Sequence, residues 1–119
     1  LRVLVVDDNV DAADSLAALL RLGGQTVTVA YDGRTALEHA SSERPDVVLL
    51  DIGLPGMNGY EVAGALRTLL GDGVLIAAVT GYGQDADARR AAEAGFDHHL
   101  IKPVDAGSLE RVLATATRK

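Results

Sequence analysis

Residues 3–9 read VLVVDDN, and the fold and the site both follow from this stretch. Its four consecutive apolar residues are typical of a short strand buried on both faces, as in a parallel sheet covered by helices. Two adjacent carboxylates, Asp7 and Asp8, follow the strand directly. Because like charges at close range repel one another, the pair indicates a third participant that carries positive charge.

Similar apolar runs recur along the chain and alternate with longer segments of mixed polarity. Residues 47–50 and 74–79 are also almost continuously apolar, which predicts two more buried strands. Residues 27–30 alternate between apolar and polar or small side chains, which is typical of an edge strand. A short run at 99–101 gives the fifth predicted strand.

The segments between these runs carry apolar residues at helical spacing. The spacing is clear in the first, third and fifth segments, weaker over 32–42, and weakest over 85–94, where only alanines recur. We therefore expect the predicted fourth helix, over 85–94, to be the most loosely held. Glycines mark the expected helix ends, at Gly23-Gly24, Gly71 and Gly95.

Five strands that each precede a helix predict an α/β fold, a single doubly wound (βα)₅ domain over residues 1–119. The expected sheet is parallel and five-stranded, in the flavodoxin-like order 2-1-3-4-5, with helices on both faces. The 119 residues suffice for one domain and no more. Because the chain begins at Leu1, we expect it to be a piece of a longer protein.

Composition excludes several classes of function. The formal net charge of −6 argues against sequence-independent binding of nucleic acid and against docking on anionic lipid by this domain. With no cysteine, the chain has neither disulfides nor thiolate metal sites. No apolar run approaches the roughly 18 to 20 residues of a membrane span, and no signal peptide is visible.

Polar residues stand just past the predicted strands. Asp7 and Asp8 follow the first, Asp51 the third, Thr80 the fourth and Lys102 the fifth. The carboxyl ends of parallel strands meet at one end of the sheet, where ligands bind. Three carboxylates there require a compensating cation, and hard oxygen ligands suit Mg²⁺ or Mn²⁺. One metal, one lysine and one hydroxyl together favour a phosphoryl group as the ligand.

Four motifs in this order resemble those of receiver domains of two-component response regulators. They are VLVVDD, LLDIGLPGMNGYE, AVTGYG and HHLIKPVD, and the resemblance covers nearly the whole chain. It implies that Asp51 is the phosphoacceptor, taking a phosphoryl group from the phosphohistidine of a sensor histidine kinase or a phosphotransfer domain. The implied metal ligands are Asp8, Asp7 in or near the first coordination sphere, Asp51 and the backbone carbonyl of Gly53.

The remaining implied roles concern the response to phosphorylation. Thr80 and Lys102 would hold the phosphoryl oxygens, and Pro103 would shape the turn after the lysine. The family usually has an aromatic residue where this chain has His99, which would turn inward with Thr80. Gly53 and Tyr82 occupy positions that tune the lifetime of the acyl phosphate.

The resemblance further implies a cytoplasmic phosphoprotein that is a signalling domain and not a separate enzyme, since it would catalyse only its own phosphorylation and dephosphorylation. Its partner affinity would change on the face formed by the fourth helix, fifth strand and fifth helix. The motifs TGYGQD and DHHLIKPVD are similar to those of receivers attached to hybrid sensor histidine kinases.

Three alternative functions fit the residues less well. An enzyme of the aspartyl-phosphate type needs an acid two residues after its nucleophile, where this chain has Gly53. An interaction domain independent of phosphorylation would be expected to have lost Asp8, Asp51 or Lys102. A nucleotide-binding module would need a G-x-x-x-x-G-K or G-x-G-x-x-G motif, and neither occurs.

Overall fold

The sheet has five parallel strands in the order β2-β1-β3-β4-β5, as predicted. This computed structural model describes residues 1–53, 59–80, 95–102 and 104–117. The strand ends lie within a residue of the predicted ones. The strands are β1 (Arg2–Val6), β2 (Thr26–Ala30), β3 (Val47–Asp51), β4 (Leu75–Thr80) and β5 (His98–Ile101).

Four α-helices lie in the described part of the chain. They are α1 (Val10–Leu22), α2 (Gly33–Glu43), α3 (Gly59–Leu70), which continues into a 3₁₀ turn (Gly71–Gly73), and the C-terminal helix (Ala106–Thr117). The predicted fourth helix, over 85–94, lies outside the described residues. Across the ranges that are described, none of the helices is both long enough and apolar enough to cross a membrane.

Side-chain oxygens begin two of these helices. Asn9 accepts a hydrogen bond from the Ala12 amide at the start of α1, and Asp32 accepts one from the Thr35 amide at the start of α2. Each bond satisfies an amide that has no partner inside its helix. Because Asn9 caps α1, the pair Asp7-Asp8 is free for another purpose.

The alternation of side chains along each strand divides the apolar core into two layers. Val3 and Val5 pack with Val47, Leu49 and Leu75 on one face, beneath α1 and the C-terminal helix. The opposite layer, beneath α2 and α3, contains Leu4, Val6, Val48, Leu50, Ile76 and residues of both helices. Helices therefore cover both faces, as the predicted fold requires.

The predicted edge strand is an edge strand. β2 pairs only with β1 within the described sheet, and its middle residues are partly buried, whereas the strands β1, β3 and β4 have almost fully buried side chains. The two valines of the alternating run, Val27 and Val29, pack against the apolar layer beneath α1.

Arg67, in the last turn of α3, joins the segments that enter β4 and β5. Its guanidinium donates to the carbonyls of Gly71, Val74 and Gly95 and pairs with the Asp97 carboxylate. Asp97 in turn accepts from the Ile76 amide at 2.9 Å. These contacts fix the amino end of the sheet, opposite the end where the polar residues gather.

Candidate functional site

Asp7 is the first residue after β1, and it is buried with 5% of its surface exposed. Its Oδ1 accepts a hydrogen bond from the Asn9 amide at 2.9 Å, and its Oδ2 lies 2.6 Å from Lys102 Nζ. The Asp7 backbone amide donates to the Ala30 carbonyl at 3.1 Å, which extends the β1–β2 pairing by one residue. The carboxylate is therefore held on both sides at the carboxyl end of the sheet.

Asp51 is the last residue of β3, which is the neighbour of β1 in the sheet. It is 7% exposed, its Oδ1 accepts from the Gly53 amide at 3.0 Å, and its Oδ2 lies 3.6 Å from Lys102 Nζ. Burial, together with the negative charge of Asp7, raises the pKa of the Asp51 carboxyl above its usual value. The Gly53 amide and Lys102 oppose that rise only in part.

Asp8 is exposed beside these two buried acids. One oxygen from each of Asp7, Asp8 and Asp51 lies within 4.8 Å of the others, so the three can share one metal ion. The arrangement brings together the three acids that the sequence predicted to converge, and it separates them into two buried carboxylates and one that reaches solvent.

Lys102 follows β5 and supplies positive charge to the cluster. Its amide donates to the Thr80 carbonyl at 2.7 Å, which continues the β4–β5 pairing and aims the side chain at Asp7. Burial favours the neutral amine, but the hydrogen bond to Asp7 and the charges of Asp51 and Asp7 outweigh that effect. The pKa of the Lys102 ammonium is therefore raised, so the side chain is positively charged at neutral pH.

Thr80 ends β4 and is almost fully buried, whereas the neighbouring His99 of β5 is exposed. Thr80 Oγ1 lies 2.9 Å from His99 Nε2, within hydrogen-bonding distance. The two residues predicted to move together thus contact each other.

The other predicted site residues are described less fully. Gly53 is exposed and donates its amide to Asp51, and the assignment of its carbonyl to a metal stays a prediction. Pro103 and Tyr82 lie outside the described residues.

Gly59 is a residue that sequence reasoning missed. It begins α3, its amide donates to the Ile52 carbonyl at 3.0 Å, and an added Cβ would lie 2.5 Å from Ile52 Cα and 2.8 Å from the Asp51 carbonyl oxygen. Only a residue without a side chain allows α3 to start this close to Asp51. LLDIGLPGMNGYE contains three glycines, and nothing in the motif indicates which of them the fold requires.

The donor set fits a hard divalent cation. Three carboxylates face a single cation, Lys102, among the side-chain contacts described around the cluster. Oxygen donors of this kind suit Mg²⁺ or Mn²⁺ and do not suit a soft metal. The residues thus form an acidic cluster that can hold a metal ion.

The sequence pattern of the response regulator receiver domain matches residues 3–114. The chain belongs to this family. Receivers of the family interact with histidine kinases or phosphotransfer proteins in two-component signalling, so this chain is a signalling domain.

Relatives and solved structures agree with the family. The transcriptional regulatory protein PrrA of Mycobacterium leprae is 41% identical over 119 residues, which are 99% of this receiver and 51% of that protein. The receiver thus spans about half the length of such curated relatives. A CheY-like receiver of Methanospirillum hungatei has a TM-score of 0.89 at 29% identity, covering 98% of this chain and 94% of that one.

A third similar protein was solved with a metal. It is the receiver domain of a sensor histidine kinase from Pseudomonas aeruginosa, with a TM-score of 0.88 and 31% identity over 99% of this chain and 98% of that one. That structure has a magnesium ion coordinated in its active-site cleft.

Proposed function

We propose that this receiver accepts a phosphoryl group onto Asp51 from the phosphohistidine of a sensor histidine kinase or a phosphotransfer domain. The observation that carries the proposal is the position of Lys102 Nζ, 2.6 Å from Asp7 and 3.6 Å from Asp51, with the Asp8 carboxylate beside them. A lysine and a cation-binding acidic cluster beside a buried carboxylate can bind the oxygens of a group that the carboxylate attacks.

In the proposed reaction a carboxylate oxygen of Asp51 attacks the phosphorus atom. A new O–P bond forms, the N–P bond of the donor breaks, and its electron pair returns to the imidazole nitrogen. The Gly53 amide holds Asp51 Oδ1, which leaves Oδ2, on the side of Lys102, as the attacking oxygen. The product is an acyl phosphate.

The reaction depends on Mg²⁺, or on Mn²⁺ in its place. Asp8, Asp51 and Asp7 would hold the ion, with the backbone carbonyl of Gly53 as a further ligand. When bound, the ion supplies positive charge that offsets the carboxylates and the phosphoryl oxygens. The receiver's own part is to keep Asp7 and Asp51 fixed by the Asn9 and Gly53 amides, so that little rearrangement is needed.

Thr80 and Lys102 would bind the phosphoryl oxygens, and His99 would repack when Thr80 moves. The change would alter partner affinity on the face formed by the predicted fourth helix, β5 and the C-terminal helix, with Pro103 shaping the turn after Lys102. We propose a cytoplasmic protein, because the donor kinases of this family phosphorylate their receivers there. The acidic net charge argues that neither nucleic acid nor a membrane binds this domain.

Binding of beryllofluoride, a phosphoryl mimic, tests the proposal. The wild type should bind it only with Mg²⁺, and Asp51→Ala should abolish binding. Asp11→Ala, which removes an exposed acid in the first turn of α1, is the matched control and should bind like the wild type. Absence of Mg²⁺-dependent binding to the wild type would contradict the proposed function.

The parent protein has two candidates. The motifs TGYGQD and DHHLIKPVD favour a hybrid sensor histidine kinase. The identity to transcriptional regulators of about twice this length favours a regulator with a second, DNA-binding domain. Sequencing the whole gene product separates them, since kinase motifs would support the first and a DNA-binding domain the second.

A further inference from the structure

Two adjacent histidines of β5 make hydrogen bonds to two different threonines. His98 Nε2 lies 3.0 Å from Thr115 Oγ1 on the C-terminal helix, and His99 Nε2 lies 2.9 Å from Thr80 Oγ1 on β4. Successive residues of a strand point to opposite faces, so the two bonds lie on opposite sides of the sheet. Which atom donates in each bond depends on where the single hydrogen of each threonine hydroxyl goes.

The hydrogen of Thr115 is already used. Its Oγ1 donates to the Val112 carbonyl at 2.6 Å, so in the contact with His98 the hydroxyl must accept. His98 therefore carries a hydrogen on Nε2. This bond persists whether the His98 ring is neutral or charged, because Nε2 is a donor in both states.

The Thr80 hydroxyl is in the opposite situation. It is 2% exposed, and His99 Nε2 is the hydrogen-bond partner of its Oγ1 among the described residues. A buried hydroxyl hydrogen without an acceptor is costly, so Thr80 is the donor and His99 Nε2 the acceptor. In this arrangement His99 Nε2 carries no hydrogen, and the ring hydrogen lies on Nδ1.

We propose that His99 is a positioning residue that holds the Thr80 hydroxyl hydrogen in the unphosphorylated receiver and competes for it with a phosphoryl group on Asp51. One hydroxyl hydrogen cannot serve both acceptors, so the Thr80–His99 bond breaks when Thr80 donates to the phosphoryl oxygen. This inference rests on the proposed function, in which Thr80 binds that oxygen. It gives His99 a defined role, since its lone pair opposes the phosphorylated state.

Nuclear magnetic resonance of the histidine side-chain nitrogens tests the direction of both bonds. At pH 8, where an ordinary imidazole is neutral, His98 should carry its hydrogen on Nε2 and His99 on Nδ1. The two neighbouring rings thus serve as references for each other. A free receiver with the His99 hydrogen on Nε2 would overturn the inference.

Beryllofluoride affinity in the presence of Mg²⁺ tests the competition. His99→Phe keeps an aromatic ring without the acceptor, and we expect binding about three- to tenfold tighter, which corresponds to one ordinary hydrogen bond. In a Thr80→Val background the same substitution should change nothing. His99→Gln, which offers an amide oxygen near the position of Nε2, should restore part of the wild-type affinity.

His98→Phe is the matched control on the other face of β5, and it should leave the affinity unchanged. If His99→Phe has no effect, or the same effect with and without the Thr80 hydroxyl, the inference is wrong while the proposed function stands. If the wild type binds no beryllofluoride although both tautomers are as expected, the proposed function fails and the competition fails with it.

Discussion

At the amino end of the sheet Arg67 faces one carboxylate and three backbone carbonyls, whereas at the carboxyl end Lys102 faces two carboxylates with a third beside them. Both clusters join segments that are distant in sequence. In the first, cation and carboxylate balance one to one. In the second, negative charge is in excess. The balanced cluster stabilises the fold, while the unbalanced one leaves a demand for positive charge that a ligand can meet.

Arg67→Ala should have the largest effect on stability. It leaves Asp97 without its cation and three carbonyls without a donor, so we expect a loss of about 3 kcal/mol in the free energy of unfolding. Urea unfolding measures it. Arg67→Lys keeps the charge but loses the planar guanidinium. Its free energy of unfolding should therefore lie between those of the wild type and Arg67→Ala.

The same variant tests how separate the two ends are. At a temperature where Arg67→Ala is folded, its Mg²⁺ affinity should equal that of the wild type, because every proposed ligand lies at the other end of the sheet. A large loss of Mg²⁺ affinity would show that the amino end also positions the metal site.

Gly59→Ala should destabilise the receiver by about 2 kcal/mol, because the new Cβ would collide with the backbone of Asp51 and Ile52. Gly64→Ala in the same helix is the matched control. Beyond the adjacent residues and the helix's own backbone, no atom of the described residues lies within 4 Å of its added Cβ, so the substitution should raise stability by about 0.5–1 kcal/mol. Thermal unfolding of both variants makes the comparison, and equal changes would refute the close approach at Gly59.

Asp51→Asn should stabilise the receiver in the absence of metal. The pKa of Asp51 is higher in the folded receiver than in the unfolded chain. Stability therefore falls as the pH rises from the unfolded-state pKa to the folded-state pKa, and this loss persists at neutral pH, where Asp51 is charged. Removing that charge should gain on the order of 1 kcal/mol.

The gain should shrink when Mg²⁺ is added, because the ion stabilises the wild type more. Calorimetry with and without Mg²⁺ measures both values. Asp72→Asn, a change of an exposed acid in the 3₁₀ turn, should alter neither. A destabilised Asp51→Asn without metal would mean that the cluster at the carboxyl end is already balanced.

The smallest effect concerns a charge that belongs to neither cluster. Hydrogen bonds from the Thr35 amide and hydroxyl lower the pKa of Asp32. The charged Asp32 carboxylate therefore stabilises the fold above its unfolded-state pKa. This stabilisation is lost as the pH falls through the lower, folded-state pKa. Asp32→Asn should be slightly less stable than the wild type at pH 6, and the difference should close once the pH falls below the folded-state pKa of Asp32. A difference that persists in acid would assign the effect to geometry instead of charge.

Much of this was predictable from local rules. Continuous apolar runs gave the buried strands, alternation gave the edge strand β2, and the position of Asp7, Asp51 and Lys102 after their strands gave the cluster. These features depend on the period of a strand and on the geometry common to parallel sheets.

The rest depends on contacts between distant segments. The Arg67 clamp requires the last turn of α3 to meet residues 95–97, and no local pattern encodes that meeting. The requirement for Gly59 arises from the distance between two backbones. The predicted helix over 85–94 stays a prediction.

The sheet also acts as a partition. By the alternation of its strand, Asp51 shares a face with Val47 and Leu49, while Thr80 shares the other face with Ile76. The sheet separates the two helical layers along the whole length of the strands. A phosphoryl group that spanned Asp51 and Thr80 would contact side chains of both layers, at the carboxyl end of the sheet. A phosphoryl group bound at this end of the sheet would thus change side-chain contacts on both faces, without any strand having to move through the core.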